Sequence, residues 1–393
     1  MAGKFTPEQL QALHEAQTLA HKTCVRMDEG IRGRLVGGPR SSQNSRLSRA
    51  LARDYHGPDI SGRRDITTSR GLENPLGNRV SVLIPAYNQD HFISAAVESA
   101  LRQAYANLEV VIADDCSTDR TGQIAAGYAA DTRVRYLRNT SRLGRVSNYR
   151  KLLAEATGEW VLMLDADDYL TNDDYITHAM RLACSDPGVV LVIGKALSGN
   201  LVETAELLNA GIQESAVIDG SDLFLSYPAL RAPVPLHLSC LYRRDRAVDL
   251  HFYREDILSS DFESFYRLML GHKVGVLNEI SGLWRQHTNN VSNSIRYRDV
   301  ARNLRMFKGM YEYARTLRIF PDAVLNRWLS DALALYFLNN VGRYVRERRT
   351  ADALRLTVAM VARWPSLLSR PEIRAQFWQA VGPAKLLRSG AST

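Results

Sequence analysis

Strand and helix patterns alternate along residues 79–200, and this alternation is the feature of the chain that most restricts its fold. Short β-branched or apolar runs predict strands at residues 80–85, 109–113, 134–137, 160–164 and 189–193. Amphipathic segments predict helices at residues 91–104, 119–130, 146–156 and 173–183. This succession predicts an α/β fold, a mostly parallel, doubly wound sheet with helices on both faces.

Composition excludes several classes of protein. Of the 393 residues, 45% are hydrophobic and 23% are charged, as in folded globular proteins and unlike disordered or collagen-like chains. We expect no secretory signal and no membrane span, since no apolar run approaches about 18 residues. The four cysteines form no CxxC pair, which argues against a zinc site or a disulfide framework. These features predict a cytoplasmic protein.

Charge divides the chain into three parts. Residues 1–78 carry 12 basic and 8 acidic side chains, and they predict a helix, beginning at the capping-box pattern around Thr6, followed by a basic linker arm. Residues 79–295, the predicted α/β domain, carry 20 basic and 27 acidic side chains. Residues 296–393 carry 18 basic and 7 acidic side chains. This division argues against one continuous nucleic-acid surface, and we expect no nucleic-acid partner.

The basic C-terminal region, residues 296–393, predicts helices at 300–319, 322–344, 351–364 and 371–381. Arginines alternate there with aliphatic and aromatic residues. Three interpretations are open: a helical subdomain packed on the α/β domain, a peripheral contact with an anionic membrane at its inner face, and a homo-oligomer contact.

Polar residues follow the predicted strands at the points where the strands end. Because the carboxyl ends of parallel strands form the ligand-binding edge of such sheets, these residues are the candidates for a site. The candidates are Tyr87, Asn88, Asp114, Asp115, Asp165, Asp167 and Asp168. Five carboxylates gathered at one edge would repel each other unless a cation neutralised them. The pattern therefore predicts a hard divalent ion, Mn²⁺ or Mg²⁺, and a diphosphate-bearing substrate.

Six segments of the chain resemble a known family when taken in order. They are VSVLIPAYNQ, EVVIADDCSTDRT, NTSRLGRVSN, GEWVLMLDADDYL, SSDFESFYRL and LWRQHTNNVS. Together they resemble family 2 glycosyltransferases, which have the GT-A fold, and the resemblance covers about residues 79–295. It implies an enzyme that transfers a sugar from a nucleoside-diphosphate donor, with one displacement and inversion at the anomeric carbon.

The resemblance also implies roles for individual residues. Asp115 would hydrogen-bond the pyrimidine, Asp165 would face the ribose or the metal shell, and Asp167 and His287 would hold the metal. The other implied nucleotide- and donor-binding residues are Pro85, Ala86, Tyr87, Asn88, Arg145, Asn148 and Ala166. Asp261 would be the catalytic base that deprotonates the acceptor hydroxyl. Relatives commonly carry Glu-Asp where this chain has Ser260-Asp261, so Glu263 is the alternative base.

Several alternatives remain open from the residues alone. Asp114, Asp115 and Asp119 could cap the helix that begins near residue 119. A phosphatase or a nucleotidyltransferase could also use an Asp-x-Asp metal site, and the chain could bind a nucleotide sugar without turning it over. Processive synthases of the family that the chain resembles carry a Gln-x-x-Arg-Trp motif and membrane helices. This chain has Trp284-Arg285, the reverse order, so the resemblance implies a non-processive enzyme. The resemblance makes UDP the expected nucleotide, with GDP and dTDP open, and the acceptor could be a glycan, a lipid-linked glycan or a protein.

Overall fold

The computed structural model describes residues 77–229, 232–288, 290, 295–371 and 373–374. The predicted helix after Thr6 and the linker arm that follows it lie outside the described residues up to residue 76, as does most of the predicted helix at 371–381. Two compact units divide the described chain. One comprises residues 77–294 together with 305–325, and the other comprises residues 295–304 and 326–374.

The larger unit is built on a ten-stranded sheet of described residues. Its strands are β1 Val80–Ala86, β2 Leu108–Asp114, β3 Val134–Arg138, β4 Trp160–Met163, β5 Tyr169–Leu170, β6 Val189–Gly199, β7 Glu206–Leu208, β8 Ala216–Asp219, β9 Cys240–Arg243 and β10 Lys273–Arg285. The main path runs β3-β2-β1-β4-β9-β6-β10-β5, with β7 beside β6 and β8 beside β10. Strands β3, β2, β1 and β4 are parallel, and β9 runs antiparallel between β4 and β6.

Helices connect these strands and cover the sheet. In the larger unit they are α1 Ile93–Leu101, α2 Thr121–Gly127, α3 Arg145–Glu155, α4 Tyr175–Cys184, α5 Gly220–Ser226, α6 Arg244–Asp249, α7 Ser260–Met269 and α9 Arg305–Leu317. The smaller unit holds α8 Tyr297–Asn303, most of α10 Asp322–Arg346, and α11 Thr350–Arg363. The predicted helix at 300–319 is thus two helices that meet at Leu304. None of the described helices combines the length and apolarity that a membrane span requires.

The sheet forms because its strands are apolar on both faces. The consecutive residues Val82, Leu83 and Ile84 of β1 are buried, as are Val110, Val111 and Ile112 of β2. Such continuous apolar runs are typical of a sheet covered on both sides by helices. The alternation of elements predicted over residues 79–200 is confirmed, and element ends differ from the predicted ones by a few residues.

Parallel pairing brings the carboxyl ends of three strands to one edge of the sheet. In the register of β1 with β2, Ala86 lies opposite Asp114. In the register of β1 with β4, Leu83 lies opposite Met163. The segments that follow β1, β2 and β4 therefore leave the sheet side by side, and they carry most of the candidate residues.

The smaller unit is held together by polar contacts as well as by its apolar core. The Tyr336 hydroxyl donates a hydrogen bond to the Val300 carbonyl oxygen (3.1 Å) and accepts one from the Asn303 side-chain amide (3.2 Å). Arg349 donates to Asp352 on α11 and to the Ile295 carbonyl oxygen. These contacts join α8, α10 and α11 into one unit.

Candidate active site at the sheet edge

Asp167 and His287 are 120 residues apart in the chain but in direct contact. His287 Nε2 lies 3.0 Å from Asp167 Oδ2. The His287 ring packs on Phe92, with 4.6 Å between the ring centroids, and its backbone N–H donates to the Asn290 side chain. Burial and the neighbouring Asp165 raise the pKa of Asp167. The two residues predicted as metal ligands therefore lie together.

This pair fits a divalent ion that takes its remaining ligands from a substrate. Among the described residues, no group of three or more His, Cys, Asp or Glu side chains could hold a metal ion. A carboxylate oxygen and an imidazole nitrogen are both acceptable ligands for Mn²⁺. Mg²⁺ commonly binds through one or two carboxylates with substrate phosphates and waters. Asp167 and His287 thus supply a donor set that a diphosphate can complete.

Asp165 is anchored at both of its oxygens. The Tyr149 hydroxyl donates to Oδ1 at 3.0 Å, and His237 Nδ1 lies 3.1 Å from Oδ2. Burial alone would raise the pKa of Asp165, but His237 and Arg145 hold it below its ordinary value. Asp165 is therefore a fixed carboxylate, and about a third of its side chain is exposed at the sheet edge.

Asp168, the third acidic residue of this turn, joins the turn to the end of β10. It is buried, and its Oδ1 accepts a hydrogen bond from the Arg285 backbone N–H at 2.9 Å. Burial and the charges of Asp167 and Asp165 raise its pKa well above the ordinary value. The Arg285 guanidinium lies 4.8 Å from the ring centroids of Phe92 and Tyr169. Asp168 and Arg285 together fix β10 beside the turn.

Asp115 organises the loop that precedes α3. Its Oδ1 accepts hydrogen bonds from the Asn139 side-chain amide (2.8 Å) and the Leu143 backbone N–H (2.7 Å). Its Oδ2 accepts from the Gly144 backbone N–H at 2.9 Å. Hydrogen bonds within the chain thus occupy three of the about four acceptor positions of the Asp115 carboxylate. Of the three proposed helix caps, Asp114, Asp115 and Asp119, only Asp119 accepts a hydrogen bond from α2, from the Thr121 backbone N–H (2.9 Å).

Asn148 completes the same arrangement from the first turn of α3. Its side-chain amide donates to the Ala113 carbonyl oxygen at 2.8 Å and its Oδ1 accepts from Asn139 at 3.1 Å. It is buried and ties α3 to the end of β2. Arg145, at the start of α3, donates to the carbonyl oxygens of Ile257 and Leu258. These contacts place Arg145 and Asn148 at the same edge as Asp115.

The segment after β1 forms a second wall of the edge. Pro85 and Ala86 end β1, and Asn88 follows in a left-handed conformation with φ of 53°. Asn88 Oδ1 accepts a hydrogen bond from the Thr118 backbone N–H at 2.9 Å. The Arg142 guanidinium stacks over the Tyr87 ring, 4.0 Å from its centroid. Tyr87 is therefore partly covered by the loop that Asp115 holds.

Asp261 lies in the first turn of α7, and its charge acts on the same cluster. It raises the pKa of Arg145, together with Tyr149 and against the effect of burial. It also contributes to the raised pKa of His237. In the described part of the chain its carboxylate accepts no hydrogen bond, and it is partly exposed. Asp261 thus lies near enough to the cluster around Asp165 for its charge to act on Arg145 and His237.

Glu263, the alternative base, is enclosed instead. It is fully buried, and its Oε1 accepts hydrogen bonds from Arg254 Nε (3.0 Å) and Arg267 Nε (2.8 Å). Adding a side chain at Gly309 of α9 would place a carbon 2.7 Å from that oxygen. The Glu263 carboxylate is therefore sealed beneath α9 and paired with arginine.

One expectation is wrong and two residues were missed. Asp114 does not join the other carboxylates, because it accepts a hydrogen bond from Tyr136 (3.1 Å) and pairs with Arg138 (3.2 Å). Alternation of side chains along β2 points Asp114 and Asp115 to different sides. Tyr149 and His237 were not predicted. His237 lies in a stretch without strand or helix periodicity, and no sequence signal distinguishes it from a core histidine.

A comparison with known proteins relates part of this domain to a family. Residues 81–218 match the family model described as Glycosyl transferase family 2. The chain is similar to glycosyltransferase GlyG of Streptococcus pneumoniae, 31% identical over 117 residues, which is 30% of this chain and 39% of GlyG. It is also similar to the Escherichia coli β-1,3-glucosyltransferase WfaP, 41% identical over 90 residues, 23% of this chain and 36% of WfaP. Each match spans less than two fifths of the relative's length.

A solved structure shows the same architecture over a longer stretch. The crystal structure of Staphylococcus aureus TarS 1–349 in complex with UDP-GlcNAc superimposes with a TM-score of 0.57. It is 20% identical, and the superposition covers 79% of this chain and 92% of that one. This likeness concerns the fold. Residues 81–218 of this chain belong to glycosyl transferase family 2 and are built on the GT-A fold.

Proposed function

We propose that this chain transfers a single sugar from a nucleoside-diphosphate donor to an acceptor hydroxyl. The observation that carries the proposal is the contact of Asp167 with His287 at the carboxyl edge of a family 2 domain. Ligands of open α/β sheets bind at this edge. Asp165 and Asp261 lie at the same edge, so one carboxylate is available to the donor and another to the acceptor.

UDP is the proposed nucleotide of the donor. WfaP is named as a transferase that uses UDP-Glc, and the TarS structure contains UDP-GlcNAc. In this chain Pro85, Ala86, Tyr87 and Asn88 would form one wall of the nucleotide pocket. Asp115 would form the other wall by holding the loop at residues 139–144 and by directing its remaining acceptor position to the pyrimidine. GDP and dTDP are the alternatives.

Asp167 and His287 would hold Mn²⁺ or Mg²⁺, with Ala166 beside them in the turn. When bound, the ion would supply a Lewis acid that neutralises the charge gathering on the leaving diphosphate. Asp165 would accept hydrogen bonds from the ribose hydroxyls with its exposed lone pairs. Arg145 and Asn148 would line the approach of the sugar from the start of α3.

Asp261 would act as the catalytic base. It has no hydrogen-bond partner in the described part of the chain and lies in a partly exposed first helical turn. A carboxylate positioned to take the acceptor proton typically contributes about 10²- to 10⁴-fold to the rate. Attack from the face opposite the leaving diphosphate would give one displacement with inversion.

The acceptor and the cellular location follow as broader proposals. WfaP is named for a GlcNAc-diphosphoundecaprenol acceptor, which is consistent with a glycan or lipid-linked glycan acceptor in polysaccharide synthesis; a protein acceptor is the alternative. A cytoplasmic protein whose basic residues 296–393 meet the anionic inner face of the membrane would reach such an acceptor. The same region could instead form a homo-oligomer contact.

A donor screen tests the proposal. Purified protein is incubated with a panel of UDP-, GDP- and dTDP-sugars in Mn²⁺ or Mg²⁺, and release of the nucleoside diphosphate is measured. We expect release from one or a few UDP-sugars, with loss of release in EDTA. Phosphate release from phosphomonoesters, with no turnover of any nucleotide sugar, would favour a phosphatase.

A further inference from the structure

A histidine lies directly behind the first carboxylate of the Asp-x-Asp turn. His237 is the first residue of the short 3₁₀ turn His237–Ser239, which precedes β9. Only 5% of its surface is exposed. Its Nδ1 lies 3.1 Å from Asp165 Oδ2, and its Nε2 lies 3.4 Å from the Tyr253 hydroxyl. With polar contacts at both nitrogens inside a packed site, the ring has a defined orientation.

Tyr149 holds the other oxygen of the same carboxylate. Its hydroxyl donates to Asp165 Oδ1 at 3.0 Å, and its ring meets His237 edge-on, with 4.9 Å between centroids and 89° between planes. Both side chains are nearly fully buried. A carboxylate held at each oxygen by a buried partner cannot turn about its own axis. Only its outward lone pairs remain for a ligand.

This arrangement has a chemical consequence for the site. Asp165 is two residues from Asp167, and an unanchored Asp165 could rotate toward that carboxylate or toward solvent. His237 and Tyr149 prevent both movements and leave about a third of the Asp165 side chain exposed at the sheet edge. Prearranged acceptors of this kind bind hydroxyl groups without the cost of ordering a mobile side chain.

We propose that His237 is a positioning residue of the donor site, which fixes the Asp165 carboxylate so that it receives the ribose hydroxyls of a nucleoside diphosphate. This inference rests on the proposed function. His237 acts through Asp165 and does not itself touch the substrate. Tyr149 is its counterpart at the second oxygen.

Two amide variants separate this role from simple packing. In His237→Asn the side-chain amide nitrogen takes the place of Nδ1 and can donate to Asp165. In His237→Gln the amide nitrogen reaches the place of Nε2, beside Tyr253, and the contact with Asp165 is lost. Both variants remove the ring and retain a polar amide, so each is the control for the other. Tyr149→Phe removes only the hydroxyl and tests the second oxygen.

The readouts are the Kd of UDP by calorimetry, with Mn²⁺ and with EDTA, and the separate effects on KM and kcat for the donor. We expect His237→Asn to bind UDP within about threefold of wild type. His237→Gln and Tyr149→Phe should each weaken UDP on the order of tenfold, the loss of one charge-assisted hydrogen bond, and should do so by raising KM more than they lower kcat.

Equal UDP affinities of His237→Asn and His237→Gln would overturn the inference, as would a fall in kcat with unchanged KM. Thermal unfolding is recorded for every variant, and if neither amide variant folds, Tyr149→Phe decides by the same affinity criterion. Failure of the proposed function is distinguishable, because wild type would then release no nucleoside diphosphate from any nucleotide sugar, whatever its affinity for UDP.

Discussion

Asp261 and Glu263 are two positions apart in helix α7, yet they lie in opposite environments. The Asp261 carboxylate is partly exposed and lies near the cluster around Asp165, whereas Glu263 is fully buried and paired with Arg254 and Arg267. Two residues along a helix correspond to about 200°, so one side chain faces the site and the other faces the core. This separation is consistent with a role of Asp261 in the proposed reaction and a role of Glu263 in stability.

Replacing Asp261 tests whether this residue is the catalytic base. We expect Asp261→Asn to retain UDP binding, because the amide has the shape of the carboxylate and Asp261 makes no hydrogen bond in the described part of the chain. Sugar transfer should fall about 10²- to 10⁴-fold, since the amide cannot take the acceptor proton. Calorimetry with UDP and a transfer assay on the same preparation measure the two effects. Transfer close to the wild-type rate would remove Asp261 from this role.

Replacing Glu263 should act on stability instead. Glu263→Gln leaves the buried Arg267 guanidinium without its carboxylate, and breaking a buried ion pair from one side costs about 3–5 kcal/mol. Urea denaturation measures the free energy of unfolding. At temperatures where the variant is folded, we expect its UDP affinity to match wild type. A stable Glu263→Gln protein without transfer would instead point to Glu263 as the base.

The loop before α3 depends on a glycine. Gly144 has φ of 86° and donates its backbone N–H to Asp115 Oδ2. Gly144→Ala should cost about 1–3 kcal/mol of stability or displace the loop, because positive φ combined with a ψ of 157° is a conformation that essentially only glycine adopts. We also expect weaker UDP binding, since the same loop carries Arg142 over Tyr87.

Gly127 provides the matched control for that glycine. It ends α2 with φ of −61°, and a side chain there would meet no atom within 4 Å. Gly127→Ala should therefore leave UDP binding unchanged and stabilise the protein by about 0.4–1 kcal/mol. Equal losses of UDP affinity in both alanine variants would show that the positive-φ backbone at Gly144 has no special importance.

His237 makes stability depend on pH with a defined sign. Burial lowers its pKa, but Asp165 and, less strongly, Asp261 raise it above the ordinary value despite an opposing effect of Arg145. A histidine with a raised folded-state pKa contributes stability that is complete below its unfolded pKa, about 6.5, and is lost as pH rises through the folded-state pKa. The stability difference between wild type and His237→Asn should therefore shrink from pH 6 to pH 9. Urea denaturation across this range measures the difference in the free energy of unfolding. A difference that grew with pH would contradict the assignment.

Much of the sheet could be predicted from the sequence because its strands are short, apolar and separated by amphipathic helices. Residues 80–85 and 160–164 are examples in which local pattern and final burial agree. The antiparallel strand β9 could not be predicted, because its place between β4 and β6 depends on pairing with residues far along the chain. Local periodicity carries no information on such pairings.

The candidate site was predictable where a residue follows a strand directly. Asp167 was expected there, and His287, which only the family resemblance indicated, lies in contact with it. The direction of each side chain was harder to predict, since Asp114 turns to Arg138 while Asp115 turns to the loop at residues 139–144. His237 could not be predicted, because its importance arises only from its contact with Asp165, 72 residues earlier in the chain.

The central claim is that Asp167 and His287 bind a divalent ion that holds a nucleoside diphosphate at this edge. Calorimetric titration of UDP into the wild-type protein, with Mn²⁺ and then with EDTA, tests it most directly, with Asp167→Asn and Asp173→Asn, an exposed carboxylate, as test variant and control. We expect Mn²⁺ to tighten UDP binding at least on the order of tenfold in wild type and Asp173→Asn but not in Asp167→Asn. The account would be contradicted if UDP did not bind, or if Mn²⁺ strengthened its binding equally in Asp167→Asn.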